Sequence, residues 1–352
     1  MKVVNRDRAV PAAPRRKTNP TPTMRDVAAL AGVSPMTVSR TLHGGSGVSL
    51  EVRARVHEAV GTLGYRRNEL ARSLRQGRRA GIVGVVVTNL ANPFYASLTL
   101  GIEAVVAEHG LRVLLTNTGE DETRERDIVE DLVARRIDGL IAVPAGADQR
   151  HFGPHELGGV PVVMAARPPT VPGIDCVLVD DFGGARAATA QLITDGHRRI
   201  GFLGNPPAVY TGAERYRGYS VALQEAGLHV NPRIVRRAQQ TIGQARTAAA
   251  HLLSGTRPPT AIFTANSRNT IGSLRAVAEA AADVAIAGFD DFDTADVLVV
   301  PLTVVAYDAQ EIGRQAARLL LDRMATDETG PVDPPGRRIV ITTSLTRYGR
   351  RA

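Results

Sequence analysis

Few groupings in this sequence have residue types that could do covalent or metal chemistry. His151 and His155 stand four apart, the spacing that sets two imidazoles on one helical face. Gly153 and Pro154 lie between them and break such a helix. Two carboxylate clusters, Glu120–Asp121–Glu122 and Asp290–Asp291–Asp293, have the chemistry for shared-proton work. The first opens a helical segment, where negative charge complements the helix dipole. The second reads as a ligand-contacting turn or as a plain turn. No GxGxxG or GxxxxGK[ST] phosphate loop occurs, and the glycines at 44–47 have no strand feeding them as a nucleophile elbow needs. A single cysteine, Cys176, excludes a disulfide scaffold and a four-cysteine zinc site within one chain. The expectation is a binding protein that is not an enzyme and calls for no metal or cofactor.

Binding chemistry is better placed. From Gly81 onward, apolar runs such as GIVGVVVT, LRVLLTN, VLVDD, RRIGFLG, TAIFTAN and VAIAGFDD alternate with helical segments near 94–109, 122–136, 183–195, 213–227 and 268–281. Continuous β-branched runs between amphipathic helices mean parallel sheets covered on both faces. The runs are too many for one compact sheet, so two doubly wound halves are expected. Ligands then bind beyond the C-terminal strand ends, which selects Asn92–Tyr95, Asn117, Arg167, Asp180–Asp181, Asn205, Asn266 and Asp290.

The segment TMRDVAALAGVSPMTVSRTL reads as two short helices around a tight turn. Thr23 caps the first, with Asp26 as its capping-box partner, and Val27, Leu30 and Ala31 form one apolar stripe. Gly32 allows the turn, Ser34 is the next N-cap and Pro35 sits at N1. Val38 and Leu42 face inward, which leaves Pro35, Met36, Thr37, Ser39 and Arg40 outward. A third helix follows Ser49, with Val52, Val56, Ala59, Val60 and Leu63 at helical spacing. This is the helix-turn-helix plan, whose second helix enters the major groove of DNA, although a three-helix module need not touch DNA. Asn68–Gly77 reads as one further short helix, marginal alone and ordered only against a partner.

Thr23–Leu74 resembles the headpiece of the LacI/GalR (lactose-repressor) family, in DVAALAGVS, TVSR and the LGY–N–LARSL ending. The rest is similar to that family's periplasmic-binding-protein-like effector domain, in NPFY, DGHRRIGFLG, ERYRGY, AGFDD and PLTVV–EIGRQAARLLL. The resemblance covers residues 23–345. It implies that Pro35, Met36 and Arg40 read bases, with Met36 limited to an apolar contact such as a thymine methyl. Thr37, Ser39 and the helix N-terminus serve phosphates, and Thr23 and Ser34 join the DNA-facing set. It makes Asn68–Gly77 a hinge helix, with Asn68 as its cap and Ala71 and Leu74 at the minor-groove positions. It assigns Phe94, Tyr95, Arg215, Asn266 and Asp290 to the effector. Taken alone, Arg215 near a helix start also reads as a surface ion-pair residue, and Leu74 as a core leucine. Carboxylate, amide and guanidinium suit sugar hydroxyls, and an aromatic suits the C–H face. Departures from the family pattern include Pro35-Met36 before TVSR, Arg67 in place of a frequent proline, and in the pocket Ala166 where some sugar repressors carry aspartate, Ser267 for aspartate and Tyr307-Asp308 for Gln-Pro.

Charge placement agrees with this division. Of a net +8, residues 1–80 hold 16 Lys and Arg against 5 Asp and Glu, a net of +11, and the remainder carries −3. Residues 1–22, with four prolines and six basic side chains, read as a disordered arm. With 43% hydrophobic and 22% charged residues the composition is globular. No 18-residue apolar run or secretory h-region appears, so a cytoplasmic protein without a membrane span is expected.

The expected architecture is an all-α helix-turn-helix headpiece (23–67), a hinge helix and linker (68–80), and an α/β effector domain of two doubly wound parallel-sheet subdomains (81–352). Those subdomains are expected near 81–178 with 305–328, and near 179–304 with 329–352. The function expected is a homodimeric regulator, a repressor, on a pseudo-palindromic double-stranded DNA operator, controlled by a small carbohydrate effector. The absence of a C-terminal heptad after Arg347 leans to a dimer. The competing reading is a cytoplasmic small-molecule sensor or enzyme with a degenerate headpiece.

Overall fold

The computed structural model describes residues 22–42, 47–65, 80–298, 300–325 and 335–349. They belong to two compact units, 1–78 and 79–352.

In the first unit, α1 (Met24–Ala31), α2 (Pro35–Leu42) and α3 (Leu50–Leu63) enclose a small core of Val27, Ala28, Ala31, Val38, Val56 and Ala59. The Thr23–Asp26 capping box closes with the Thr23 N–H donating to the Asp26 carboxylate at 2.7 Å. Gly32 ends α1 at φ 64°, a left-handed conformation suited to glycine. The Arg55 guanidinium of α3 donates to the Ala31 and Gly32 carbonyls, tying the third helix to that turn. Leu30, expected in the buried stripe, is instead 54% exposed. The inward face of this eight-residue helix runs through Val27, Ala28 and Ala31, and Leu30 lies on its flank.

The second unit holds two six-stranded sheets. The first contains β1 (Ile82–Val87), β2 (Arg112–Asn117), β3 (Gly139–Ala142), β4 (Val162–Ala165), β5 (Asp175–Val179) and β11 (Arg338–Ile341), in the parallel order β11-β5-β4-β3-β1-β2. The second contains β6 (Ile200–Gly204), β7 (Val235–Arg237), β8 (Ala261–Thr264), β9 (Ala285–Phe289), β10 (Leu302–Ala306) and β12 (Ser344–Tyr348), in the order β12-β10-β9-β8-β6-β7. Among the described residues, only the β10–β12 pair is antiparallel. Covering helices are α4 (Pro93–Glu108), α5 (Glu122–Ala134), α6 (Asp181–Thr194), α7 (Tyr210–Glu225), α8 (Ile242–Leu253), α9 (Ser267–Glu279) and α10 (Ala309–Ala325). Because helices cover both faces, the central strands are buried along their length, which explains the unbroken apolar runs.

The chain passes between the sheets three times, at β5–α6, β10–α10 and β11–β12. Two expected subdomain assignments therefore shift. β10 belongs to the second sheet, and β11 returns to the first, beside β5, before β12 crosses back. The edge strand β7 and helix α8 were also not anticipated. β7 is three residues ending in two arginines, and α8 is alanine-rich, so neither shows strong apolar contrast. Helices α4 and α10 cross backbone to backbone: a Cβ on Gly101 would run into the Gln310 carbonyl, and one on Gly313 into that of Leu98. One apolar cluster continues from Val85 and Ile141 through Val179 to Phe289 and Val305, so the two lobes share core at the crossings. No described helix is long and apolar enough to cross a membrane.

Candidate functional site

Both sheets point their C-terminal strand ends into one cavity of about 300 Å³, at the lower end of small-molecule sites. The first lobe contributes Thr88 after β1, Glu120 after β2 and Arg167 after β4. The second contributes Asn205, Asn266 and Asp290 after β6, β8 and β9, and Tyr307 stands at a crossing. Glu120, Ala166 and Asp290 hold positive φ (64°, 61° and 67°). Non-glycine residues in that region cluster where surrounding structure imposes a side-chain direction.

On the first wall, Arg167 meets Glu120 through two parallel bonds of 2.8 Å, and its Nη1 also donates to the Pro144 carbonyl at 2.8 Å. Burial opposes the Arg167 charge, but Tyr95 and Glu120 outweigh it and hold the guanidinium above its ordinary range. The Tyr95 hydroxyl lies 2.6 Å from Thr88 Oγ1, and burial pushes its phenol up. Phe94 stands edge-on to Tyr95, centroids 5.0 Å apart, and is only half-buried, so its ring partly faces the cavity.

The second wall is built on Arg215 of α7. Its Nε donates to Asp181 Oδ1 at 2.7 Å and its Nη1 to the Ala265 carbonyl at 2.6 Å, with Asp290 Oδ1 3.1 Å from Nη1. The guanidinium lies 3.7 Å over the Phe289 ring. Burial works against its charge, while Asp290 and Asp181 hold it above the ordinary range. Burial lifts the Asp181 carboxyl to about 6, with Arg215 pulling the other way. Tyr307 donates to Asp290 Oδ1 at 2.8 Å, and burial followed by Asp290 raises its phenol far above its usual value. Asn266 Oδ1 caps α9 by accepting from the Asn269 N–H, and its Nδ2 donates to Asn205. Donors and acceptors thus converge from two lobes on a polar cavity with one aromatic face.

In the first unit, Ser34 Oγ accepts from the Thr37 N–H at 3.1 Å and opens α2. Pro35, Met36 (71% exposed) and Arg40 stand out in solvent, with Thr37 and Ser39 half-exposed beside them. A helix N-terminus carrying short polar side chains and an arginine can approach phosphates and base edges.

Residues 23–68 match the model described as bacterial regulatory proteins, lacI family. Residues 80–346 match the periplasmic binding proteins and sugar binding domain of LacI family. The chain belongs to the LacI family. It is therefore a DNA-binding transcriptional regulator. It is 34% identical to the HTH-type transcriptional regulator CelR of Thermobifida fusca over 92% of this chain and 96% of that one. It is 30% identical to the HTH-type transcriptional repressor CytR of Escherichia coli, covering 90% of this chain and 93% of the relative. A solved CelR–cellobiose complex superposes with a TM-score of 0.69 at 31% identity, covering 94% of this chain and all of that one.

Within this LacI-family frame, Phe94, Tyr95, Arg215, Asn266 and Asp290 all line the one cavity. Arg215 is buried, not a surface ion-pair residue, and Asp290 is the end of a buried network, not a plain turn. Glu120 corrects the reading of its cluster: Asp121 is the α5 cap, while Glu120 faces Arg167 across 47 residues of sequence. His151 pairs with Glu125 at 3.1 Å and His155 is exposed, so they share no site. No metal-binding group of three or more occurs among the described residues. Asn68, Ala71 and Leu74 lie outside the described residues. Arg268, Thr211 and Thr241 also line the cavity without a signal in the sequence: Thr211 and Arg268 are second residues of α7 and α9 and Thr241 caps α8, all beyond the strand ends.

Proposed function

We propose that this regulator represses transcription as a homodimer in the cytoplasm, on a pseudo-palindromic operator, and that a carbohydrate in the cleft sets its affinity for DNA. Pro35, Met36 and Arg40 of α2 would read base edges, with Thr23, Ser34, Thr37 and Ser39 on the backbone. Asn68, Ala71 and Leu74 would form the minor-groove element between half-sites. The observation that carries the effector reading is the cavity itself, where Asp290, held by Arg215 and Tyr307, and Phe94 face each other from different lobes. A hydroxylated ring bridging them would interact differently with open and closed lobe arrangements. That differential interaction is what shifts a two-state equilibrium. The cellobiose held by the CelR relative supports a sugar in this position.

The test is retention of the protein's own promoter fragments across a salt series. Specific binding that falls steeply with salt is expected, as is an Asp290→Ala variant that keeps DNA binding and loses its response to effector. Absence of any retained fragment at low salt sinks the operator reading. An undiminished response in Asp290→Ala removes that residue from the site.

A further inference from the structure

Among the described residues three arginines line the cavity, and two of them are held in ion pairs. Arg167 is held by Glu120 and the Pro144 carbonyl, and Arg215 by Asp181, Asp290 and the Ala265 carbonyl. The third, Arg268, is half-buried at the second position of α9 and has no ion pair among the described residues. Its Nε is shielded from solvent and finds no hydrogen-bond partner. A shielded, unmatched donor on a cation is costly to a fold, and an anion bound beside that cation offsets part of the cost.

The surroundings favour an anion at this spot. The cavity's own carboxylates are matched: Glu120 by the two-pronged Arg167 pair, Asp290 by Arg215 and Tyr307. Asp181 stands behind Arg215 and does not line the cavity. The second lobe also opens the N-termini of α7, α8 and α9 onto this wall, at Thr211, Thr241 and Asn266, and their partial positive charges add to that of Arg268. Asn89, Asn92, Asn117, Asn205 and Gln240 supply amides suited to hydroxyls.

We infer that the effector is an anionic carbohydrate, a sugar acid or a sugar phosphate, whose charged oxygens are taken by Arg268. This rests on the cleft being the effector site. Arg268 then sets specificity: it selects the acid or phosphate over the neutral sugar of the same shape.

Calorimetric titration of the full chain against matched sets tests this: glucose, gluconate and glucose 6-phosphate; ribose and ribose 5-phosphate; cellobiose and cellobionate. Ionic strength is held constant. At least one anionic member is expected to bind roughly tenfold or more tightly than its neutral parent, the scale of one charge-assisted bond. Arg268→Met is expected to remove that advantage while leaving the melting temperature of the unliganded chain and the affinity for the neutral parent nearly unchanged. Arg268→Lys is expected to restore part of it. The carboxylate and phosphate members distinguish the two anionic classes. A neutral sugar that binds as tightly as its anionic partner, or an Arg268→Met variant that weakens both alike, overturns the inference and leaves the effector cleft standing. A chain that binds none of the compounds overturns both.

Discussion

The two walls of the cleft use the same chemistry in different proportions. On the first, one arginine meets one glutamate through two bonds, and Glu120 keeps 23% of its side chain in solvent. On the second, one arginine serves two aspartates, both buried, and Tyr307 joins the outer one. The first pair is closed, and its Glu120 can turn toward water. The second is a chain whose links depend on one another, because Asp181 Oδ2 is buried without a hydrogen bond and relies on Arg215 for its compensation. A ligand touching the first wall meets a neutral pair, whereas one touching Asp290 touches a network that reaches the α6 start at the lobe crossing. The second wall is therefore the better placed to pass a binding event to the crossings.

Removing each arginine should separate the walls most widely. Arg215→Met strands two buried carboxylates and is expected to cost about 3–5 kcal/mol. Arg167→Met leaves Glu120 free to reach solvent and should cost about 1–3 kcal/mol. Urea unfolding of the two variants against the parent measures both. Equal losses would show that the walls are equivalent and that the shared arginine has no special standing.

The next effect depends on pH. Asp181 is lifted to about 6 from an ordinary 3.8, so the folded chain holds this proton more tightly than the unfolded one. Its contribution to stability falls as pH rises between those values, and the penalty is complete above the upper one. Two units correspond to about 3 kcal/mol. Other carboxylates, such as Asp175, are lowered instead: burial opposes this, but Arg323 and Arg337 outweigh it. The readout is therefore the difference between the parent and Asp181→Asn. The parent should lose ground to the variant from about pH 4 to pH 6 and hold a constant difference above pH 7. A flat difference across that range would mean that Arg215 fully compensates Asp181 and that burial has no net effect on it.

How far the sequence foretells these walls depends on the range of each interaction. Strand ends are local, so Asn205, Asn266 and Asp290 could be placed by finding where apolar runs stop. What those residues bond to is not local. Glu120 and Arg167 are 47 positions apart, and nothing in either neighbourhood names the other. Asp290 reads as a turn residue until Arg215 and Tyr307 arrive from two other segments. In the headpiece the capping interactions lie within one helical turn, so the Thr23–Asp26 box and the Ser34 cap could be read directly. Leu30 escaped that reading because helical periodicity does not say which flank of a stripe a short neighbouring helix covers. The β11 crossing escaped it because a four-residue strand pairs equally well, on pattern alone, with either sheet.

The smallest expected effect sharpens the comparison further. Tyr307→Phe removes a single hydroxyl. Its ring keeps its neighbours Phe94 and Phe289, at 6.2 and 6.0 Å between centroids, so little packing is lost. Asp290 loses one donor and keeps Arg215 at 3.1 Å, so no buried charge is stranded. The cost should stay near 1 kcal/mol, below that of Arg167→Met. Affinity for effector should respond more than stability does, because the freed carboxylate can swing away from the cavity and must be reordered when a ligand hydroxyl arrives. Melting curves and titrations on one preparation separate the two quantities. A stability loss exceeding that of Arg167→Met, with effector affinity unchanged, would make Tyr307 a strut between lobes and not a guide for Asp290.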